Sequence, residues 1–107
     1  MLIASGADPN QKDANEYGYT PLIRTADFGE LEMARILLTA GADINATNNE
    51  GMTALHFADN AEIARFLIEA GADRNAHAGG ETPAQTAVRF GKFSALTVLT
   101  NELIPKP

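Results

Sequence analysis

The side chains that could do bond chemistry are few in this 107-residue sequence: two histidines, two serines and no cysteine. Without cysteine there is no disulfide staple, thiolate metal site or thiol nucleophile. His56 and His77 form neither a His-Glu-x-x-His motif nor a pair at helical spacing, so nothing is arranged for zinc. Ser5 and Ser94 lack the Gly-x-Ser-x-Gly context of an activated serine. Gly79-Gly80 and Gly91-Lys92 do not complete a phosphate loop, and Asp13 and Asn15 stand without the rest of a calcium loop. Asn45-Ala46-Thr47 matches a glycosylation sequon, but Asn45 recurs as a turn residue, which accounts for it. The sequence predicts no enzyme, no metal and no cofactor.

Carboxylates are plentiful, 14 against 8 Lys plus Arg, for a net charge of −6. That balance argues against a nucleic-acid partner, which needs a basic face, and leaves a basic protein partner open. Hydrophobic residues at 45% and charged residues at 21% are globular values. The length suits one domain. No apolar run approaches the roughly 18–20 residues of a membrane span. Met1 to Asp8 has no basic n-region or apolar stretch of a signal peptide. The expectation is a soluble, cytoplasmic chain with no membrane partner.

The elements that must position any functional residue are set by internal repetition. Gly6-Ala7-Asp8-Pro9-Asn10 returns as Gly41-Ala42-Asp43-Ile44-Asn45 and as Gly71-Ala72-Asp73-Arg74-Asn75. Thr20-Pro21-Leu22 returns as Thr53-Ala54-Leu55-His56-Phe57-Ala58 and as Thr82-Pro83-Ala84, the first two being 33 residues apart. Thr before Pro places a side-chain oxygen at a helix N-cap and a fixed φ at the first helical position. Gly41 and Gly71 follow helix-periodic apolar stretches and suit the left-handed residue that ends a helix. Asp43, Asn45, Asp73 and Asn75 supply turn chemistry. Glu32 and Glu62 fall in the first turn of a second helix, where acidic groups suit the dipole. Each unit reads as helix, turn, helix and hairpin-like loop. Helices this short are marginal alone and must stack on neighbours.

These blocks together resemble the ankyrin repeat over nearly the whole chain. The resemblance implies an all-α repeat solenoid, a stack of helix-turn-helix units with hairpin loops. It implies protein binding through hairpin tips and the concave first-helix face, and inter-repeat hydrogen bonding by His56. The single domain 1–107 divides into a partial repeat at 1–17, repeat 1 at 18–50, a shortened repeat 2 at 51–79 and a C-terminal capping repeat at 80–107. Repeat 2 has no counterpart of Gly29-Glu30-Leu31, so its first helix or inter-helix turn must be shorter. Repeat 3 carries Gln85 where repeat 2 carries His56, and loses the Gly-Ala-Asp block.

The ends differ in kind. Leu2-Ile3 align with Leu37-Leu38, so the first unit looks truncated. That predicts an under-covered apolar flank at Leu22 and Ile36 that promotes self-association. Ser94, Thr97, Thr100 and Asn101 give the last helix the polar outer face of a terminal cap, and Pro105 stops it, so the C-terminus reads as a natural end.

Positions that vary between repeats are free to read a partner. At the hairpins these are Glu16, Tyr17 and Tyr19, then Asn49, Glu50 and Met52, then Glu81. At the ends of first helices they are Asp27 and Phe28, Asp59 and Asn60, and Arg89 and Phe90. Several are types enriched at interface centres. Tyr17 and Tyr19 have an alternative role, packing along the long first hairpin. Phe28 and Phe90 occupy equivalent positions and are expected to flank a dip left by the shortened repeat, with Asp27 and Arg89 beside it. The sequence thus predicts a non-catalytic protein-interaction module with a protein partner. The alternatives are an accessory or inhibitory segment of a larger enzyme, or a structural spacer.

Overall fold

A computed structural model describes residues 8–14 and 16–100 of the chain. Among these residues the order is α1 (Pro21–Phe28), α2 (Leu31–Thr39), a 3₁₀ turn (Ala54–Phe57), α3 (Ala61–Glu69), α4 (Pro83–Phe90) and α5 (Phe93–Leu99). Thr20 accepts the Ile23 N–H ahead of Pro21, and Thr82 accepts that of Gln85 ahead of Pro83. Asn60 does the same for Ile63 at the start of α3. Glu32 and Glu62 lie in the first turns of α2 and α3.

The units stack as the repetition requires. The 3₁₀ turn packs between α1 and α4, α3 packs on α5 and α2, and each helix pair packs on itself. Leu22, Ile23, Leu37, Leu55, Ile63 and Leu67 are buried along this shared core, with Ala26, Ala34 and Ala64 where elements approach closely. The loops are turns, with one isolated antiparallel bridge, Ala78 to Glu81, among the described residues. An asparagine ladder joins them. Asn10 accepts the Asp43 N–H at 2.7 Å and Asn45 accepts the Asp73 N–H at 3.0 Å. Within each loop Asp43 and Asp73 accept the N–H two residues on.

His56 joins repeat 2 to repeat 3: its Nε2–H donates to the Glu81 carbonyl at 3.1 Å, while Nδ1 accepts the Thr53 N–H. Burial pushes this imidazole below its ordinary pKa, and the two bonds fit the neutral ring. Gln85, the equivalent residue in repeat 3, accepts the Thr82 N–H in the same way.

The shortening expected of repeat 2 falls in its first helix: Ala58 turns extended, at φ −53° and ψ 121°, so only a four-residue 3₁₀ turn fits before Asn60 opens α3. One expectation needs correction. Leu22 is not under-covered but buried, and only Ile36 of the expected flank stays half exposed. Ser94 is exposed on α5, and its hydroxyl also accepts the Ala61 N–H of the preceding repeat. Thr97 and Thr100 bond to carbonyls of their own helix. The expectations for Leu2, Ile3, Ser5, Asn15, Asn101 and Pro105 lie outside the described residues.

Candidate functional site

The residue just before each helix-capping threonine is Tyr19 in repeat 1, Met52 in repeat 2 and Glu81 in repeat 3. All three line one cleft of about 290 Å³. Glu50, Ala78 and Gly79 complete the hairpin side, and Phe57, Arg89 and Phe90 the helix side. One structural position of the repeat thus presents three different chemistries in a row.

Aromatic packing shapes the wall. Tyr17 stacks on Tyr19 with ring centres 5.7 Å apart, Tyr19 meets Phe57 edge-on at 5.4 Å, and Phe57 stacks on Phe90 at 5.8 Å. Such offset and edge contacts favour a rigid row of rings. Arg24 lies over the Tyr19 ring and Arg89 over Phe90, at 5.0 and 4.5 Å from the ring centres. Each arginine is fixed by a carboxylate: Arg24 by Asp13, and Arg89 by Glu81 through both Nε and Nη2. The Arg89 bonds hold the Glu81 carboxyl below its usual range. Burial, and then the negative charges of Glu50 and Asp27, push the Tyr19 phenol up.

The floor is shaped by a residue that sequence reasoning passed over. Asn48 is buried, and its Oδ1 accepts the N–H groups of both Glu50 and Met52. Phe57 was missed for a different reason. It lies inside the Thr-Ala-Leu-His-Phe-Ala block, whose residues read as purely structural.

Of the twelve expected partner-binding residues, Tyr19, Glu50, Met52, Glu81, Arg89 and Phe90 come together in this cleft. Met52 is 5% exposed, so it forms floor rather than rim. Tyr17 extends the aromatic row and remains exposed; it packs along the hairpin as the alternative had it. Asn49 ties hairpins together, its amide donating to the Glu16 carbonyl. Asn60 is the cap of α3. Asp27 and Asp59 both face Lys92, at 2.5 and 4.0 Å.

The dip expected between Phe28 and Phe90 is not a notch. Lys92 occupies the shortened region, donating to the Phe57 carbonyl at 2.8 Å as well as to Asp27. Phe90 turns to Phe57, while Phe28 is 66% exposed and outside the cleft. Among the described residues no group of three or more His, Asp or Glu side chains could hold a metal ion. No described helix is long and apolar enough to cross a membrane.

Comparison with known proteins agrees with this architecture. The family model of ankyrin repeats in three copies matches residues 1–78 and 41–105. The chain belongs to the ankyrin-repeat family. It is 40% identical over 57 residues, 53% of its length, to the ARF GTPase-activating protein Git of Drosophila melanogaster. It is 35% identical over 60 residues, 56% of its length, to an ankyrin repeat-containing protein of Schizosaccharomyces pombe. It is 43% identical over 51 residues, 48% of its length, to protein phosphatase 1 regulatory subunit 27 of Homo sapiens. The matched stretches make up 8%, 28% and 32% of those proteins, so the chain corresponds to under a third of each. Ankyrin repeats are in general protein-interaction modules, and relatives here include a named regulatory subunit.

Proposed function

We propose that this chain is a non-catalytic recognition module that seats a protein partner in the cleft between its hairpins and first helices, on the concave side of the stack. The carrying observation is the row Tyr19, Met52 and Glu81: one repeat position, three chemistries, one cleft. A surface read by a partner differs from repeat to repeat where the scaffold does not. The stacked rings and paired arginines pre-organise the wall, so binding loses little side-chain freedom. A cytoplasmic setting is part of this proposal, and fractionation of the source cell checks it.

Affinity capture from the source organism, with wild type and Phe90→Ala in parallel, tests the proposal. A partner held by wild type should be lost or weakened with Phe90→Ala, while the variant's helical circular dichroism stays unchanged. A partner retained equally by both would place binding elsewhere.

A second reading is favoured by coverage: the chain is the ankyrin segment of a longer protein, and its partner is the enzymatic part of that same protein or a separate enzyme. The matched stretches are small parts of proteins named as a GTPase-activating protein and a phosphatase regulatory subunit. An intact-mass measurement of the native protein distinguishes a segment from a free-standing chain.

A further inference from the structure

We propose that the cleft receives an arginine side chain from an extended segment of the partner, and that Glu50 is the carboxylate that pairs with it. This deepens the binding proposal above and rests on it. Three ionisable side chains other than the Tyr19 phenol line the cleft, and two of them already satisfy each other. Glu81 holds Arg89 at two points and also accepts from the Thr86 hydroxyl. Glu50 is different. Its backbone N–H is fixed by Asn48 at 2.9 Å, which sets its place on the rim. Its exposed carboxylate takes no hydrogen bond and no ion pair among the described residues.

Among the described residues no neighbouring cation fills that role. Arg24 is held by Asp13 and Lys92 by Asp27. Lys12 reaches the amide oxygen of Asn49, at 3.5 Å, rather than Glu50. The charged side chains that line the cleft are two carboxylates, Glu50 and Glu81, and one arginine, Arg89, so their sum is negative. The chain as a whole carries −6, which favours encounter with a basic segment. An acidic partner would meet Glu50 unpaired and an Arg89 that is already neutralised.

The shape selects the cation. A cleft of about 290 Å³ walled by Tyr19, Phe57 and Phe90 admits one long side chain, not a helix. Arginine presents methylenes to the rings and the Met52 floor, and a planar guanidinium that can pair with Glu50 at two points. Lysine would offer a compact, strongly hydrated charge to the same flat walls.

The test follows the Met52 methyl resonance of the full chain, labelled with carbon-13 and assigned with Met52→Leu. The probes are three Gly-Ser peptides of one design carrying two arginines, two citrullines or two glutamates. The arginine peptide should move the Met52 methyl saturably. Its affinity should fall roughly tenfold for Glu50→Gln, the loss expected for a charge-assisted hydrogen bond. The citrulline peptide should bind wild type about as weakly as the arginine peptide binds the variant. Because the Glu50 carboxylate bonds nothing among the described residues, the variant should keep its circular dichroism and urea midpoint. If the citrulline or glutamate peptide moves Met52 as strongly as the arginine peptide, the cationic assignment falls and the cleft remains a binding site. If Glu50→Gln binds the arginine peptide as wild type does, Glu50 is not the acceptor. If none of the three moves Met52, both the cation and the cleft are overturned.

Discussion

Lys92 Nζ lies 2.5 Å from Asp27 Oδ1, so the third repeat grips the first across the shortened second. The same ammonium donates to the Phe57 carbonyl of repeat 2, and Lys92 is only 13% exposed. One largely covered cation therefore joins all three units where three residues are missing. Lys92→Met should leave two half-exposed carboxylates facing each other and a carbonyl without its donor. The expected loss is roughly 2–3 kcal/mol, read from urea unfolding. Asp27→Asn should cost about 1 kcal/mol or less, because that partner is half exposed. A Lys92→Met midpoint equal to wild type would remove the clamp from the account.

That clamp also marks the limit of what was legible in the sequence. Thr20, Pro21, Asp43 and Asp73 act on groups in their own turn, so their chemistry can be read from spacing, whereas Asn45 reaches the loop of the next repeat. Ankyrin-type pairing of His56 followed from resemblance. Lys92 and Asp27 are 65 residues apart, and nothing in either local pattern marks the pair. The missing residues of repeat 2 were visible as a gap, but the side chain that fills it comes from the next repeat. Variation between repeats found six of the cleft residues. It missed Phe57 because a residue in the repeated block can serve packing and site together.

His56 should make stability depend on pH above the range where carboxylates titrate. Its pKa is lowered in the folded chain by burial, so between the unfolded value near 6.5 and the lower folded value the unfolded state binds more protons. Its contribution is complete above that range and is lost as pH falls. Urea midpoints should therefore decline between pH 7 and pH 5. His56→Gln, which copies the cap seen at Gln85, should flatten that decline. An unchanged slope in the variant would assign the decline to other groups.

Gly41 and Gly71 hold φ of +102° and +106° just past the ends of α2 and α3. A Cβ added at either would meet nothing within 4 Å. Gly41→Val should therefore cost more than about 1 kcal/mol through backbone strain alone, with no steric clash to relieve. Because stability in a stack is largely between neighbours, exchange of amide protons in α2 and α3 should quicken together. A urea melt matching wild type would refute this account of the helix ends.

The same position in two repeats should respond oppositely to one substitution. Ala26 and Val88 both lie six residues after the capping threonine. Ala26 is fully buried where repeat 2 packs against α1, whereas Val88 is 53% exposed. Val88 lines a shallow groove with Ala84, Gln85 and Leu96 on the far side of repeat 3. Gln85 and Leu96 correspond to Ile23 and Ala34, which are buried in repeat 1. Ala26→Asp would place a charge in a contact with no room and no partner, and should cost about 3 kcal/mol or more. Val88→Asp should change the unfolding free energy by less than about 0.5 kcal/mol, because its carboxylate can stay in water. Urea melts of the two variants read the difference directly. Equal, large losses would show that the Val88 face is covered in solution, and equal, small losses would show that repeat 2 does not depend on its contact with α1.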